Sequence, residues 1–131
     1  MRPEDVVRAF WSAMADNDFT AASGWLTDDF QGDWPQSCEL VRGPEAFAAI
    51  NAAYPATGTW RFDLVQLVAE GAQVVTYVGI TDGAISARAI TFHTVLGDRI
   101  ARQREYWPDP YDAPPWRRAW VEIVPDHDAL G

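Results

Sequence analysis

In "PEDVVRAFWSAMADND" the apolar residues Val6, Val7, Phe10, Trp11 and Met14 recur at steps of three and four, the spacing of one helical face. Pro3 suits a first turn, where its missing N–H costs nothing, and Glu4 and Asp5 complement the positive end of the helix dipole. After a polar break at Asp16 to Asp18, "FTAASGWL" predicts a second short helix with Phe19, Ala22 and Trp25 or Leu26 on one side. "TDDFQGDWPQSCELVRG" is rich in breakers and predicts short extended segments. "GPEAFAAINAAY" then gives the clearest helix start, with Gly43 outside, Pro44 at the first position and Glu45 in the first turn.

Beyond this helix the period changes. The stretch from Thr59 to Trp107 holds runs of β-branched and aromatic residues interrupted by Glu70-Gly71, Asp82-Gly83 and Gly97-Asp98, each suited to a hairpin turn. Four consecutive antiparallel strands are predicted. The tail is dense in proline, and "PPWRRAWVEIV" predicts a short helix or a terminal strand. Helices followed by a meander define an α+β chain whose sheet buries one face against the helices. With no repeat, low-complexity tract or linker, residues 1–131 read as a single domain with a proline-rich tail from about residue 108.

Composition narrows the function. A chain of 131 residues has room for one core, and 48% apolar residues with seven tryptophans favour a globular state. A formal charge of -9 repels phosphate, so neither nucleic acid nor an anionic membrane is an expected partner. Every basic residue is an arginine, which excludes Schiff-base lysine and P-loop lysine chemistry. Cys38 is the only cysteine, so no internal disulfide forms. "MRPEDVVRAF" lacks a secretory apolar core, and no apolar run is long enough to span a bilayer. The expected location is the cytoplasm.

The order of elements, with "LTDDF", "VRGPEAF" and "GDRIARQREYW", resembles the nuclear-transport-factor-2-like superfamily and, within it, the SnoaL-like proteins. The resemblance covers nearly the whole chain and rests on shape signals that carry no chemistry. It implies a cystatin-like cone, a curved antiparallel sheet packed on N-terminal helices, with a pocket between them. It also implies a homodimer formed through the outer sheet face. Members of the superfamily include isomerases, cyclases, epoxide hydrolases, dehydratases and proteins without known catalysis.

Candidate chemistry depends on strand register. A two-residue turn at Gly97-Asp98 places Leu96 opposite Arg99, and regular pairing then sets His93 against Arg102, Phe92 against Gln103 and Ile90 against Glu105. One face carries Ile90, Phe92, Thr94, Leu96, Ala101, Gln103, Glu105 and Trp107; the other carries Thr91, His93, Val95, Ile100, Arg102, Arg104 and Tyr106. The first is more apolar and lacks arginine, which assigns it to the cavity. Glu105 is then an acid-base group against aromatic walls, where the charged form is disfavoured and the pKa rises. The competing reading is a strand glutamate paired with an arginine.

The closing "QREYW" is similar to that of ketosteroid isomerase, and Trp107 matches its pocket tryptophan. The alignment implied by the resemblance puts Phe10 at the position of the phenolic donor, Trp34 at that of the carboxylate base and Phe92 at that of the protonated acid, unless a bulge turns His93 inward. Without an O–H donor, that enzyme's enolate stabilisation is disfavoured here. SnoaL-like cyclases use pocket acids and a histidine, for which this sequence offers Asp33, Glu105 and, after a register change, His93. Asp33 before Trp-Pro also suits a plain turn, and His93 also suits a hydrogen-bonded interface residue.

The two histidines, His93 and His127, are far apart, and no His-x-x-x-His or Cys-x-x-Cys spacing exists, so no metal site is expected. Trp34 and Trp107, with Phe10, Met14 and Phe92, are the expected cavity walls, with Gln103 as a polar orienter. Trp116, Trp120, Arg117 and Arg118 are assigned to tail packing or an interface. The expectation is a homodimer binding an apolar cyclic metabolite, either as a cofactor-independent isomerase, cyclase, dehydratase or hydrolase, or as a non-catalytic binding module.

Overall fold

The computed structural model describes residues 1–125; His127 lies outside them. Three α-helices, α1 (Pro3–Ala15), α2 (Phe19–Ser23) and α3 (Gly43–Ala53), pack on a curved six-stranded sheet. Its strands are β1 (Leu26–Trp34), β2 (Glu39–Arg42), β3 (Arg61–Glu70), β4 (Gln73–Thr81), β5 (Ser86–Leu96) and β6 (Arg99–Tyr106), ordered β2-β1-β6-β5-β4-β3. β3 to β6 form the expected antiparallel meander, and β1 joins it by pairing parallel to β6. In the tail, "PPWRRAWVEIV" resolves as a 3-10 helix over Pro115–Trp120.

The periodicity of α1 is realised directly: Val6, Val7, Phe10, Trp11 and Met14 are all buried. They meet Val74, Val78 and Ile80 of β4, Ala89 and Val95 of β5, and Ile100 of β6 in one core. At the α1–α2 turn, Asn17 takes a left-handed conformation with φ 57°, which its short polar side chain tolerates. Its amide both donates to the Trp60 carbonyl and accepts from the Trp60 N–H, fixing Trp60 beside the helices.

Asp82 secures the rim opposite. One carboxylate oxygen accepts from the N–H groups of Ala84 and Ile85, and the other accepts from the N–H and hydroxyl of Thr57. Gly58 lies so close that an added Cβ would sit 2.8 Å from the Asp82 carbonyl oxygen, so only glycine lets the two backbones approach there. These donors hold the Asp82 carboxyl far below its usual range, the Ile85 N–H foremost. A carboxyl so depressed stabilises the fold above its unfolded pKa of about 3.9; that stabilisation is lost as pH falls through the folded value. Asp82→Ala should therefore lower the thermal midpoint at pH 7 and narrow its difference from the wild type towards pH 2, measured by circular dichroism.

The β5–β6 hairpin departs from regular alternation. Gly97-Asp98 is the two-residue turn, with Gly97 at φ 63° and Leu96 opposite Arg99. Beyond it Val95 pairs with Ile100 but Thr94 pairs with Arg102, so Ala101 is a bulge residue. Every later pair shifts by one: His93 faces Gln103, Phe92 faces Arg104, Thr91 faces Glu105 and Ile90 faces Tyr106. The expected pairs His93–Arg102, Phe92–Gln103 and Ile90–Glu105 are corrected. On β6 the cavity assignment of Gln103 and Glu105 stands, whereas on β5 the faces are exchanged. Thr91, His93 and Val95 are buried, and Phe92 is 44% exposed on the outer face, its ring 6.2 Å from Tyr106.

Candidate active site

The cone encloses a cavity of about 170 Å3 between the sheet and α1 and α3. At roughly 10–15 Å3 for each water-sized occupant on this scale, that admits a molecule of on the order of ten heavy atoms. Phe10, Trp11 and Met14 of α1 form one wall, Phe30 and Trp34 of β1 another, and Phe47 and Tyr54 a third, with Trp60 and Trp107 at the margin. Gly32 faces inward between them; an added Cβ would meet the Phe30 ring at 3.2 Å, so glycine preserves the space. Trp107 is held by the β1–β2 loop, where the Gln36 amide accepts from its N–H and donates to its carbonyl.

Two polar side chains of β6, Gln103 and Glu105, line this mostly apolar space, together with Asn51 of α3, whose amide donates to the Phe47 carbonyl. Glu105 Oε1 accepts from the indole N–H of Trp34 at 3.1 Å, and Oε2 accepts from the Thr91 hydroxyl at 2.6 Å. Both donors are neutral, so the expected alternative of an arginine partner does not describe this carboxyl. Burial raises its pKa, with the Thr91 and Trp34 hydrogen bonds opposing the rise. Thr91 escaped the sequence reading because it meets Glu105 only in the bulged register.

Asp33 adjoins the cavity wall, but its carboxylate turns to the other face of the sheet. There Oδ2 accepts from Arg102 at 2.8 Å and Arg104 at 3.3 Å. The Arg102 hydrogen bond is the main cause that holds its pKa below the usual value. Strand alternation explains the placement: Gly32 and Trp34 point inward, so Asp33 between them points out.

His93, expected on the outer face, is completely buried beneath the inner one. Nε2 lies 2.9 Å from Thr76 Oγ1 and Nδ1 lies 3.2 Å from the Gln103 amide, while the rings of Phe10 and Trp11 pack against it in edge-to-face geometry. Burial pushes its pKa down to about 3, so it is neutral across the physiological range. It does not border the cavity; Gln103 lies between. Of the expected walls, Phe10, Met14, Trp34, Gln103 and Trp107 line the space and Phe92 does not. Among the described residues, no group of three His, Cys, Asp or Glu side chains is placed to hold a metal ion.

The comparisons agree with this architecture. The SnoaL-like domain family matches residues 7–103, and the chain belongs to that family. Among solved structures, a protein from Kribbella flavida provisionally assigned as a ketosteroid isomerase superposes with a TM-score of 0.87 and 25% identity, covering 95% of this chain and 91% of that one. An NTF-2 like protein of unknown function from Burkholderia xenovorans gives 0.77 and 26%, covering 93% and 94%. An LEH-like epoxide hydrolase from M. tuberculosis shares the fold, with a TM-score of 0.65 and 21% identity over 79% and 80% of the two chains. No curated protein matches the sequence significantly. Among the described residues, no helix is long and apolar enough to cross a membrane.

Proposed function

We propose that this protein is a cofactor-independent acid-base enzyme acting on a small apolar cyclic metabolite, with Glu105 as the proton-transfer group. One observation carries the reading: a carboxyl of raised pKa enters an aromatic cavity with only neutral hydrogen-bond donors to hold it. Glu105 takes a proton from a C–H next to an electron-withdrawing group and returns it to the same molecule at another position. Isomerisation of this kind needs no redox partner, and cyclisation or dehydration begins with the same abstraction. Trp34, Trp107, Phe10 and Met14 shape the space around a flat ring.

The first test incubates the protein with a panel of cyclic ketones in D2O and follows deuterium incorporation by proton NMR. Exchange at a carbon next to the carbonyl, above the buffer rate, supports the reading. Binding without exchange across the panel supports the second reading, a non-catalytic binding module. That alternative draws on the Asp33 carboxylate facing away from the cavity, which leaves Glu105 without a second pocket acid.

We further propose that it works as a cytoplasmic homodimer joined through the outer sheet face. Val65, Val68, Phe92 and Leu96 are all more than half or nearly half exposed, and such apolar area on a sheet favours a partner. Phe92→Asp should shift sedimentation from dimer to monomer at micromolar concentration; an unchanged dimer would place the interface elsewhere.

A further inference from the structure

The buried string behind the cavity has a direction, which follows from counting donors and acceptors. Trp11 Nε1–H only donates, and its partner is Thr76 Oγ1 at 3.2 Å. The Thr76 hydroxyl is fully buried, and its other polar neighbour is His93 Nε2. Its proton therefore goes to Nε2, which must accept. A neutral imidazole carries one proton, so His93 holds it on Nδ1, facing the Gln103 amide, whose Nε2 stands 3.2 Å away as the side chain is placed.

Oxygen and nitrogen of a glutamine amide are alike in shape, and the surrounding hydrogen bonds decide between them. With Nε2 of Gln103 toward Nδ1, the ring proton would sit on His93 Nε2. Thr76 Oγ1 would then receive two N–H donors while its own buried proton found no acceptor, the unfavourable case of a buried donor left unpaired. Turning the amide over gives the Trp11, Thr76 and His93 groups a partner each and leaves the Gln103 NH2 to the cavity.

We propose that Trp11, Thr76 and His93 fix Gln103 with its carbonyl toward His93 and its NH2 group toward the cavity. His93 is thus a positioning residue that never touches the ligand, and the cavity presents an N–H donor beside the Glu105 carboxyl. Gln103 and Glu105 are two residues apart on one face of β6, about 7 Å along the strand. This spacing suits a ligand whose acceptor oxygen, a ketone or other carbonyl, meets Gln103 while a neighbouring C–H approaches Glu105. The donor orientation stands on the hydrogen-bond count alone; the C–H clause rests on the proton-transfer reading above.

The deciding measurement is the tautomer of His93 in the wild-type protein, read from the 15N shifts of the imidazole ring. The chain has two histidines, so His127→Gln assigns the spectrum. A proton on Nδ1 at pH 7 is expected; a proton on Nε2 would reverse the string, turn the Gln103 oxygen to the cavity and overturn the proposal. A second measurement compares binding of cyclohexanone with its isostere methylenecyclohexane by ligand-observed NMR. Gln103→Leu, or Gln103→Met should the branched side chain not fold, is expected to reduce the preference for the ketone roughly 5- to 10-fold. An unchanged preference removes the donor from Gln103. Glu105→Gln should keep the His93 tautomer, so loss of proton transfer alone leaves this inference standing.

Discussion

Glu105→Gln is expected to lower deuterium exchange into a bound ketone by about 10²–10⁴-fold, the range for removing a positioned general base. The fold should survive, because the new amide fits the same space. Its oxygen can accept from the Thr91 hydroxyl or from the Trp34 indole, so one of the two hydrogen bonds is kept. The pH dependence supplies a second signature. Exchange needs the ionised carboxylate, so the wild-type rate should rise with pH through an inflection above the ordinary glutamate value of about 4.3, because burial raises this pKa.

The stability sign is the reverse of that for Asp82. A raised carboxyl pKa means that the folded state holds its proton more tightly than the unfolded chain, so the fold loses stability as pH rises through the interval between the two values. Glu105→Gln removes that loss, so its thermal midpoint should gain on that of the wild type as pH rises, while exchange falls. Lowered exchange with a midpoint difference that does not change with pH would instead identify Glu105 as a structural group.

Most of the fold was legible because it rests on periodicity. The five apolar positions of α1 are its five buried residues, and the turn at Gly97-Asp98 lies where the glycine requires it. The site was legible only in part, because alternation is a local rule and a single bulge at Ala101 reverses it. The reading of β6 beyond the bulge reached Gln103, Glu105 and Trp107 correctly, while the same rule carried across to β5 exchanged Phe92 for His93. The sequence did hold a warning. The face assigned to the exterior combined Val95 and Ile100 with Arg102 and Arg104, and a strand pair that mixes core residues and arginines on one side is best relieved by an extra residue between them. Asp33 follows the same logic: the resemblance to the cyclases offered it as a pocket acid, but its place between the inward Gly32 and Trp34 turned it toward the two arginines. The polar string from Trp11 to Gln103 joins four elements distant in sequence, and no short-range pattern announces it.

Phe10→Ala should cost about 3–5 kcal/mol of folding stability, the range for truncating a buried aromatic, in urea denaturation followed by circular dichroism. Phe10 is 1% exposed, and its ring centroid lies 5.1 Å from Trp11, 5.6 Å from Phe47 and 6.1 Å from His93. It joins α1 to α3 and covers the buried histidine, so its loss opens a void beside a polar group whose neutrality depends on burial. Because Phe10 also borders the cavity, a ligand that fills the enlarged space should recover part of the loss. Phe92→Ala makes the same chemical change on the outer face, where the ring touches Tyr106 and solvent, and should cost less than about 1.5 kcal/mol in the monomer. Regular alternation would instead make both truncations cavity-forming. Measured where the protein is monomeric, a large cost for Phe10 and a small one for Phe92 is therefore the expected energetic signature of the bulge, and comparable costs there would return Phe92 to the cavity and move His93 out of it.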